Sequence, residues 1–112
     1  MKKFTVRVRV WVNEAEGPFL GPGRVRLLEK IHETGSITNA ARAMKMSYRQ
    51  AWQLVEDMNS RAKQPLVEKI LGGKNGSGSV LTKVGERAIA EFYRIQSELQ
   101  NQADELSKKL TL

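Results

Sequence analysis

The chain shows two hydrophobic periods, one of two residues near its start and one of three to four residues over most of its length. Positions 4, 6, 8, 10 and 12 are apolar, and between them lie Thr5, Arg7, Arg9 and Trp11. This alternation predicts a half-buried β-strand over residues 4–12. Residues 13–23 contain three glycines and two prolines and are predicted to form a loop.

The pattern then changes to that of an amphipathic helix over residues 24–33, where apolar side chains recur on one face. Pro22 suits the first helical turn, and Gly35 suits the end of the helix. Ser36 is expected to cap a second, short helix over residues 37–44. The inner face of that helix is small and consists of Ala40, Ala41 and Ala43.

A third helix is predicted to begin after Ser47, with Gln50 three residues on completing a capping box. It should end near residue 62, because Pro65 disfavours helix in the residue before it. The apolar side chains at helical spacing form its inward stripe: Ala51, Leu54, Val55, Met58 and Ala62. Small residues in both helices would let the pair cross closely, which is typical of a helix-turn-helix.

Two short strands, 66–71 and 80–81, flank a glycine-rich segment in which Asn75-Gly76 is a hairpin signal. This segment does not have the ending of a nucleotide-binding P-loop, and it joins a strand to a strand. A plain flexible hairpin is one interpretation. After a helix-turn-helix, a wing that contacts the DNA backbone is the interpretation we favour.

One long helix is predicted from Thr82 onward. Its apolar residues step by four and three, close to a heptad seam: Ala88, Phe92, Ile95, Leu99, Ala103, Leu106 and Leu110. Packing of this seam on its own domain is one possibility. We favour a homodimer, with Phe92, Ile95, Leu99 and Leu106 as the expected contacts. The predicted fold is therefore mostly α with a small β part, a winged helix-turn-helix over residues 1–83 followed by a C-terminal dimerisation helix over 84–112.

Charge supports the same division of the chain. The 112 residues carry a net charge of +7. Residues 1–83 hold 15 basic and 7 acidic residues, a net +8, whereas residues 84–112 hold 4 and 5, a net −1. A basic field of this kind favours a polyanionic partner, nucleic acid before an anionic membrane.

Double-stranded DNA is the expected partner, read by the N-terminal end of the third helix in the major groove. Arginine can bond guanine and glutamine can bond adenine at two points. Caps, backbone amides and wing residues would hold phosphates. The expected DNA contacts are Ser36, Thr38, Ser47, Tyr48, Arg49, Gln50, Gln53, Lys74 and Asn75.

Other chemistry finds little support in the sequence. The chain has no cysteine and one histidine, His32, so we expect no metal site and no cofactor. No arrangement of side chains indicates catalysis, and we expect a non-enzyme. No segment looks like a signal peptide or a membrane span, so a cytoplasmic protein is expected.

Several stretches resemble the N-terminal domain of the molybdate-responsive ModE regulators, over about residues 22–106. They are residues 35–41 (Gly-Ser-Ile-Thr-Asn-Ala-Ala), 46–52 (Met-Ser-Tyr-Arg-Gln-Ala-Trp), 58–59 (Met-Asn), 65–68, 72–74 (Gly-Gly-Lys) and 81–85 (Leu-Thr-Lys-Val-Gly). The first and last are also similar to LysR-type regulators. The resemblance implies a dimeric winged-helix DNA-binding domain, with Ser47 opening the recognition helix and residues 72–79 forming the wing.

The sequence departs from this family in two ways. The wing has fewer glycines than is usual in the family, which affects its expected DNA contact. Since residues 1–112 contain no counterpart of the family's oxyanion-binding C-terminal domains, we expect no molybdate sensing by this chain, and the effector stays unknown. Two other functions stay open: a winged-helix module for protein contacts with only non-specific DNA affinity, and an RNA binder, which is disfavoured because the sequence shows no aromatic platform of the kind that single-stranded RNA modules use.

Overall fold

The computed structural model describes residues 2–73 and 76–112, with side chains outside residues 72–77. It has four helices and two small antiparallel sheets, which confirms the predicted winged helix with a long last helix. In chain order the elements are β1 (Val12–Glu14), β2 (Gly17–Leu20), α1 (Pro22–Thr34), α2 (Ile37–Ala43), α3 (Tyr48–Arg61), β3 (Val67–Gly73), β4 (Gly76–Leu81) and α4 (Lys83–Lys108).

The caps predicted for α2 and α3 are confirmed. Ser36 Oγ accepts a hydrogen bond from the Asn39 N–H at 3.1 Å, and Ser47 Oγ accepts one from the Gln50 N–H at 3.1 Å. Of the capping box at α3, the described hydrogen bonds include only this serine half. Gly35 ends α1 with φ at 69°, in the left-handed region that glycine adopts without a Cβ penalty.

The core lies where α1, α2 and α3 meet the base of the wing and the start of α4. Ala40, Ala41 and Ala51 are almost fully buried, so the predicted close crossing of α2 and α3 is confirmed. Ala43, which was expected on the inner face of α2, is exposed instead. On α3 the predicted stripe is confirmed, with Ala51, Val55 and Met58 buried and the other two members half-buried.

The predicted strand over residues 4–12 is wrong as a sheet element. Only Val12 belongs to a strand, and the predicted loop after it contains the hairpin of β1 and β2. The burial alternation itself is present, because Val6 and Val8 are half-buried and Val10 is buried while the residues between them are exposed. The segment contacts α4 in place of a neighbouring strand, a pairing that local sequence does not reveal.

The N-terminal part of α4 packs on the domain, and its C-terminal part extends beyond it. Phe92 is 2% exposed within the core. At 26 residues, α4 is about 39 Å long, which makes the molecule elongated with a longest extent of 60 Å. Within the described residues, no helix is both long enough and apolar enough to cross a membrane.

Candidate nucleic-acid interface

The exposed end of α3 carries the side chains expected to read DNA. Arg49, Gln50 and Gln53 are all exposed, and Tyr48 is 50% exposed at the first position of the helix. Ser47 is exposed as well, although its hydroxyl is engaged in capping. The structure therefore brings five of the predicted contacts together on one helix end, free of intramolecular ion pairs among the described residues.

The turn between α2 and α3 is tight, and it requires one non-glycine residue to adopt a left-handed backbone conformation. Lys45 has φ at 57°, in the left-handed region, which costs a side-chain-bearing residue about 1 kcal/mol or more. The Met46 N–H returns to the Ala41 carbonyl at 3.0 Å and closes the turn. This turn sets the angle at which α3 leaves α2, and so the direction in which Arg49 and Gln50 project.

The wing is fixed to the turn between α1 and α2. The Ser79 N–H donates to the Gly35 carbonyl at 2.9 Å, and a Cβ on Gly78 would stand 2.9 Å from the same oxygen. Only a glycine allows this approach of two backbones. The base of the wing at Gly78 and Ser79 therefore stands beside the starts of α2 and α3.

A shallow cleft of about 180 Å³ lies where the wing meets the two helix starts. Ser36, Thr38 and Tyr48 line it from the helices, and Lys69 lines it from β3. Sequence reasoning missed Lys69. The available signal was its place in the strand leading into the wing, where Lys69 pairs with Ser79. The predicted wing contacts Lys74 and Asn75 lie outside the described residues.

A cluster of ion pairs holds the far end of α3. The Asp57 carboxylate accepts from Arg24 at 2.6 Å and from Arg61 at 3.1 Å, and Arg61 also reaches Glu14 at 2.8 Å. Hydrogen bonds from Arg61 and then from Arg24 lower the pKa of Asp57 from its ordinary value. Arg24 of α1 and Arg61 of α3 thereby neutralise Asp57, about two turns from the exposed N-terminal end of α3. The cluster also ties the β1–β2 hairpin to α3.

The seam predicted on α4 is divided between two environments. Phe92 belongs to the core and Ile95 is half-buried against it, so these two predicted dimer contacts are used within the monomer. Leu99 is 42% exposed and Leu106 is 59% exposed, and Leu110, at 42%, continues the row. The structure therefore leaves only the C-terminal half of the seam open.

Comparison with known proteins agrees with this geometry. Residues 23–86, more than half of the chain, match the family described as bacterial regulatory helix-turn-helix protein, lysR family. The chain belongs to this family. The match runs from the start of α1 to the first turn of α4, and so covers the helix-turn-helix and the wing.

The lysR-family chain also has curated relatives. It is 40% identical to the molybdenum transport protein ModE of Azotobacter vinelandii over 94 residues, which is 84% of this chain and 35% of that protein. It is 44% identical to the transcriptional regulator ModE of Haemophilus influenzae over 85 residues, which is 76% of this chain and 33% of that protein. It is 41% identical to the molybdenum-pterin-binding protein MopB of Rhodobacter capsulatus over 101 residues, which is 90% of this chain and 37% of that protein. The chain thus spans about a third of the length of these relatives and has the sequence of a ModE-like DNA-binding domain.

Two of the motifs that carry the resemblance are structural joints of the lysR-family domain. Asn59 accepts from the Leu66 N–H at 2.9 Å and donates to the Val67 carbonyl at 3.0 Å, which fixes α3 to the wing. Thr82 donates to the Pro65 carbonyl at 2.7 Å and accepts from the Gly85 N–H at 3.0 Å, which fixes the wing to α4. These residues position the interface without belonging to it.

Proposed function

We propose that this chain is a DNA-binding transcriptional regulator of the ModE type, which reads duplex DNA with α3 and holds the backbone with its wing. The observation that carries the proposal is the anchoring of the wing at Gly35. It places Lys69 beside Tyr48 and the start of α2, and so makes one polar surface out of three elements. A helix end flanked by backbone-binding groups is the arrangement that direct readout of the major groove requires.

Within this surface, each side chain has a role that follows from its chemistry. Arg49 and Gln50 reach base edges, since they can form two-point contacts with guanine and adenine. Ser36, Thr38 and Lys69 contact phosphates, and they supply affinity without sequence information. Tyr48 lies between the two groups, where its hydroxyl can reach a phosphate.

The relatives narrow the proposed targets. Since curated relatives are named for molybdenum transport and molybdenum-pterin binding, the genes regulated by this chain include those of molybdenum uptake or use. The chain works as a homodimer, in which two α3 helices enter successive major grooves about 34–36 Å apart. The role is binding, with no chemical step.

Genome-fragment selection with the purified chain at near-physiological salt, followed by sequencing, tests this function. We expect one palindromic motif, enriched upstream of genes for molybdenum uptake or use. A set of unrelated fragments would instead favour the alternative, a module for protein contacts whose DNA affinity is non-specific.

Replacing Arg49 by alanine separates sequence-specific binding from non-specific electrostatic binding to DNA. Loss of a two-point base contact costs about 1–3 kcal/mol, so the selected motif should bind about ten- to a hundredfold more weakly while random DNA is little affected. Arg87→Ala, which removes the same charge from an exposed position on α4, is the control. Equal losses on both DNA classes for Arg49→Ala would refute a base contact at this residue.

A further inference from the structure

The extended segment before β1 has one hydrogen-bonded edge and one open edge. The Val6 N–H donates to Ser107 Oγ at 2.7 Å, and the Val8 N–H donates to Gln100 Oε1 at 3.0 Å. Gln100 Nε2 also donates to the Val6 carbonyl at 3.0 Å. Side chains of α4 thus make the hydrogen bonds that a neighbouring strand would make with the backbone of the even-numbered residues.

The opposite edge consists of the backbone groups of the odd-numbered residues, because successive peptide groups of an extended chain point in alternate directions. Within the described residues, no hydrogen bond involves the backbone of Thr5, Arg7 or Arg9. No proline or glycine interrupts residues 2–11. An edge that is unpaired and already held in place is a template for another strand.

Exposed apolar side chains lie on both the N-terminal segment and the helix that holds it. Phe4 is 52% exposed and lines the same open depression as Leu110, near the end of α4. Leu99 and Leu106 continue the apolar row along the helix. The neighbouring seam position, Ala103, is 4% exposed and so is already covered within the monomer.

The helix alone offers too little surface for a stable dimer. Its open leucines at 99 and 106 are seven residues apart and fill one seam position per heptad, where a coiled coil needs two. Stable interfaces bury about 800 Å² on each partner. The N-terminal segment is the adjacent surface that can supply the remainder, and its unpaired backbone adds directional bonds.

We propose that two copies of the chain join through this edge, pairing residues 3–11 as antiparallel strands about a two-fold axis at Arg7. The proposal rests on the homodimer of the proposed function and specifies how it forms. The pairing would make about ten backbone hydrogen bonds, two for each of the five facing pairs of odd-numbered residues. The α4 leucines and Phe4 would border the resulting two-stranded ribbon.

Charge selects this register. Centred on Arg7, the pairing sets Thr5 against the partner's Arg9 and Lys3 against the partner's Trp11, where a cation can lie on the indole ring. In this register Arg7 faces the partner's Arg7, and this is the one like-charged pair across the two strands. Moving the pairing by two residues in either direction creates two such pairs, which are unfavourable across strands.

The even-numbered side chains fit the same register. On the face that packs toward the helix, Val6 comes opposite the partner's Val8 and Phe4 comes opposite the partner's Val10. Such apolar cross-strand pairs each stabilise a sheet by a few tenths of a kcal/mol to about 1 kcal/mol. They would also cover Phe4.

Cysteine cross-linking tests the register, since the chain has no cysteine of its own. In Arg7→Cys the two sulfurs would project from facing residues with Cα atoms about 5.5 Å apart, which a disulfide can span. We expect a linked dimer under mild oxidation. Thr5→Cys alone and Arg9→Cys alone should stay unlinked, because like positions lie about 13 Å apart, whereas an equal mixture of the two should link.

Substitution by proline tests the hydrogen bonds. Arg7→Pro removes one N–H from the open edge of each copy and leaves the bonds of Val6 and Val8 to α4 in place. We expect the dimer Kd to rise about tenfold or more by sedimentation equilibrium, with an unchanged urea midpoint for the monomer. Arg7→Ala keeps the N–H and removes the like-charged pair, so its dimer should be as tight as that of the original chain or tighter.

The experiments distinguish a wrong edge pairing from a wrong homodimer. If Arg7→Cys does not link while Leu99→Asp still dissociates the dimer, the copies join through α4 alone and the edge pairing is refuted. Equal linking of all three single cysteine variants would mean random collision and would also refute it. If the chain sediments as a monomer both alone and on DNA, the homodimer of the proposed function fails as well.

Discussion

Gly85 occupies a helix position at which alanine would ordinarily be more stabilising than glycine. The packing around it makes glycine the more stabilising residue there. It lies in the first turn of α4 and is buried. A Cβ added there would strike the Leu66 carbonyl oxygen and would stand 2.7 Å from Leu81 Cδ1. That oxygen already accepts the Thr82 N–H at 2.9 Å, so the backbone cannot retreat without weakening the joint between the wing and α4.

The two effects of Gly85→Ala have opposite signs and can be compared. Alanine gains at most about 1 kcal/mol of helix propensity over glycine. Overpacking costs about 1–3 kcal/mol, and weakening the hydrogen bond at Leu66 adds about 1 kcal/mol. We expect a net loss of about 1–3 kcal/mol in the free energy of unfolding.

Gly23 provides the matched control. It lies in the first turn of α1, and an added Cβ would meet nothing within 4 Å. Gly23→Ala should therefore be neutral or stabilise by up to about 1 kcal/mol. Urea unfolding followed by circular dichroism measures both variants, at one protein concentration because association shifts apparent stability. A Gly85→Ala midpoint at or above that of the original chain would refute the packing argument.

Three further predictions concern the interface, the dimer and the ion pairs. Lys69→Ala should weaken binding to all DNA alike and reduce the salt slope by about 0.9, the value for one phosphate contact; an unchanged slope in a salt titration would remove Lys69 from the interface. Leu99→Asp should shift the chain to monomer in sedimentation, whereas Asn101→Asp, with the same charge change, should not; dissociation by both would indicate a general charge effect. Asp57→Asn should cost roughly 1 kcal/mol at pH 7, a figure discounted for a carboxylate that is one third exposed. Because the pKa of Asp57 is lowered on folding, this difference is present above its ordinary value of 3.8 and should disappear as the pH falls through the lower pKa of the folded protein. A difference that persists unchanged at pH 2 would refute the ion-pair explanation.

The helices could be predicted from the sequence because their signals are local. The serine caps at 36 and 47, the glycine after α1 and the apolar stripe of α3 all act within a few residues of the backbone they stabilise. The same holds for the hairpin of the wing. The exposed end of α3, and with it most of the candidate DNA contacts, followed from these helix boundaries.

The two errors that concern the N-terminal segment and the seam of α4 involve partners distant in the chain. Residues 4–11 have the alternation of a strand, yet their hydrogen bonds go to Gln100 and Ser107, about a hundred residues away. Phe92 has the spacing of a dimer seam, but the start of α4 crosses the core and buries it. Periodicity shows which side chains share a face and does not show what covers that face.

The sequence by itself determined the order of the helices and the wing, the polar N-terminal end of α3 and the separation of a basic region from the last helix, since propensity, capping and charge are properties of neighbouring residues. Only the tertiary structure decided that Lys69 lies beside the starts of α2 and α3, that Arg24 and Arg61 neutralise Asp57, and that the N-terminal segment lies on α4 with one edge open. Each of these depends on contacts between elements far apart in the chain, whose geometry is set by the packing of the core and the close approach of backbones at Gly78 and Gly85.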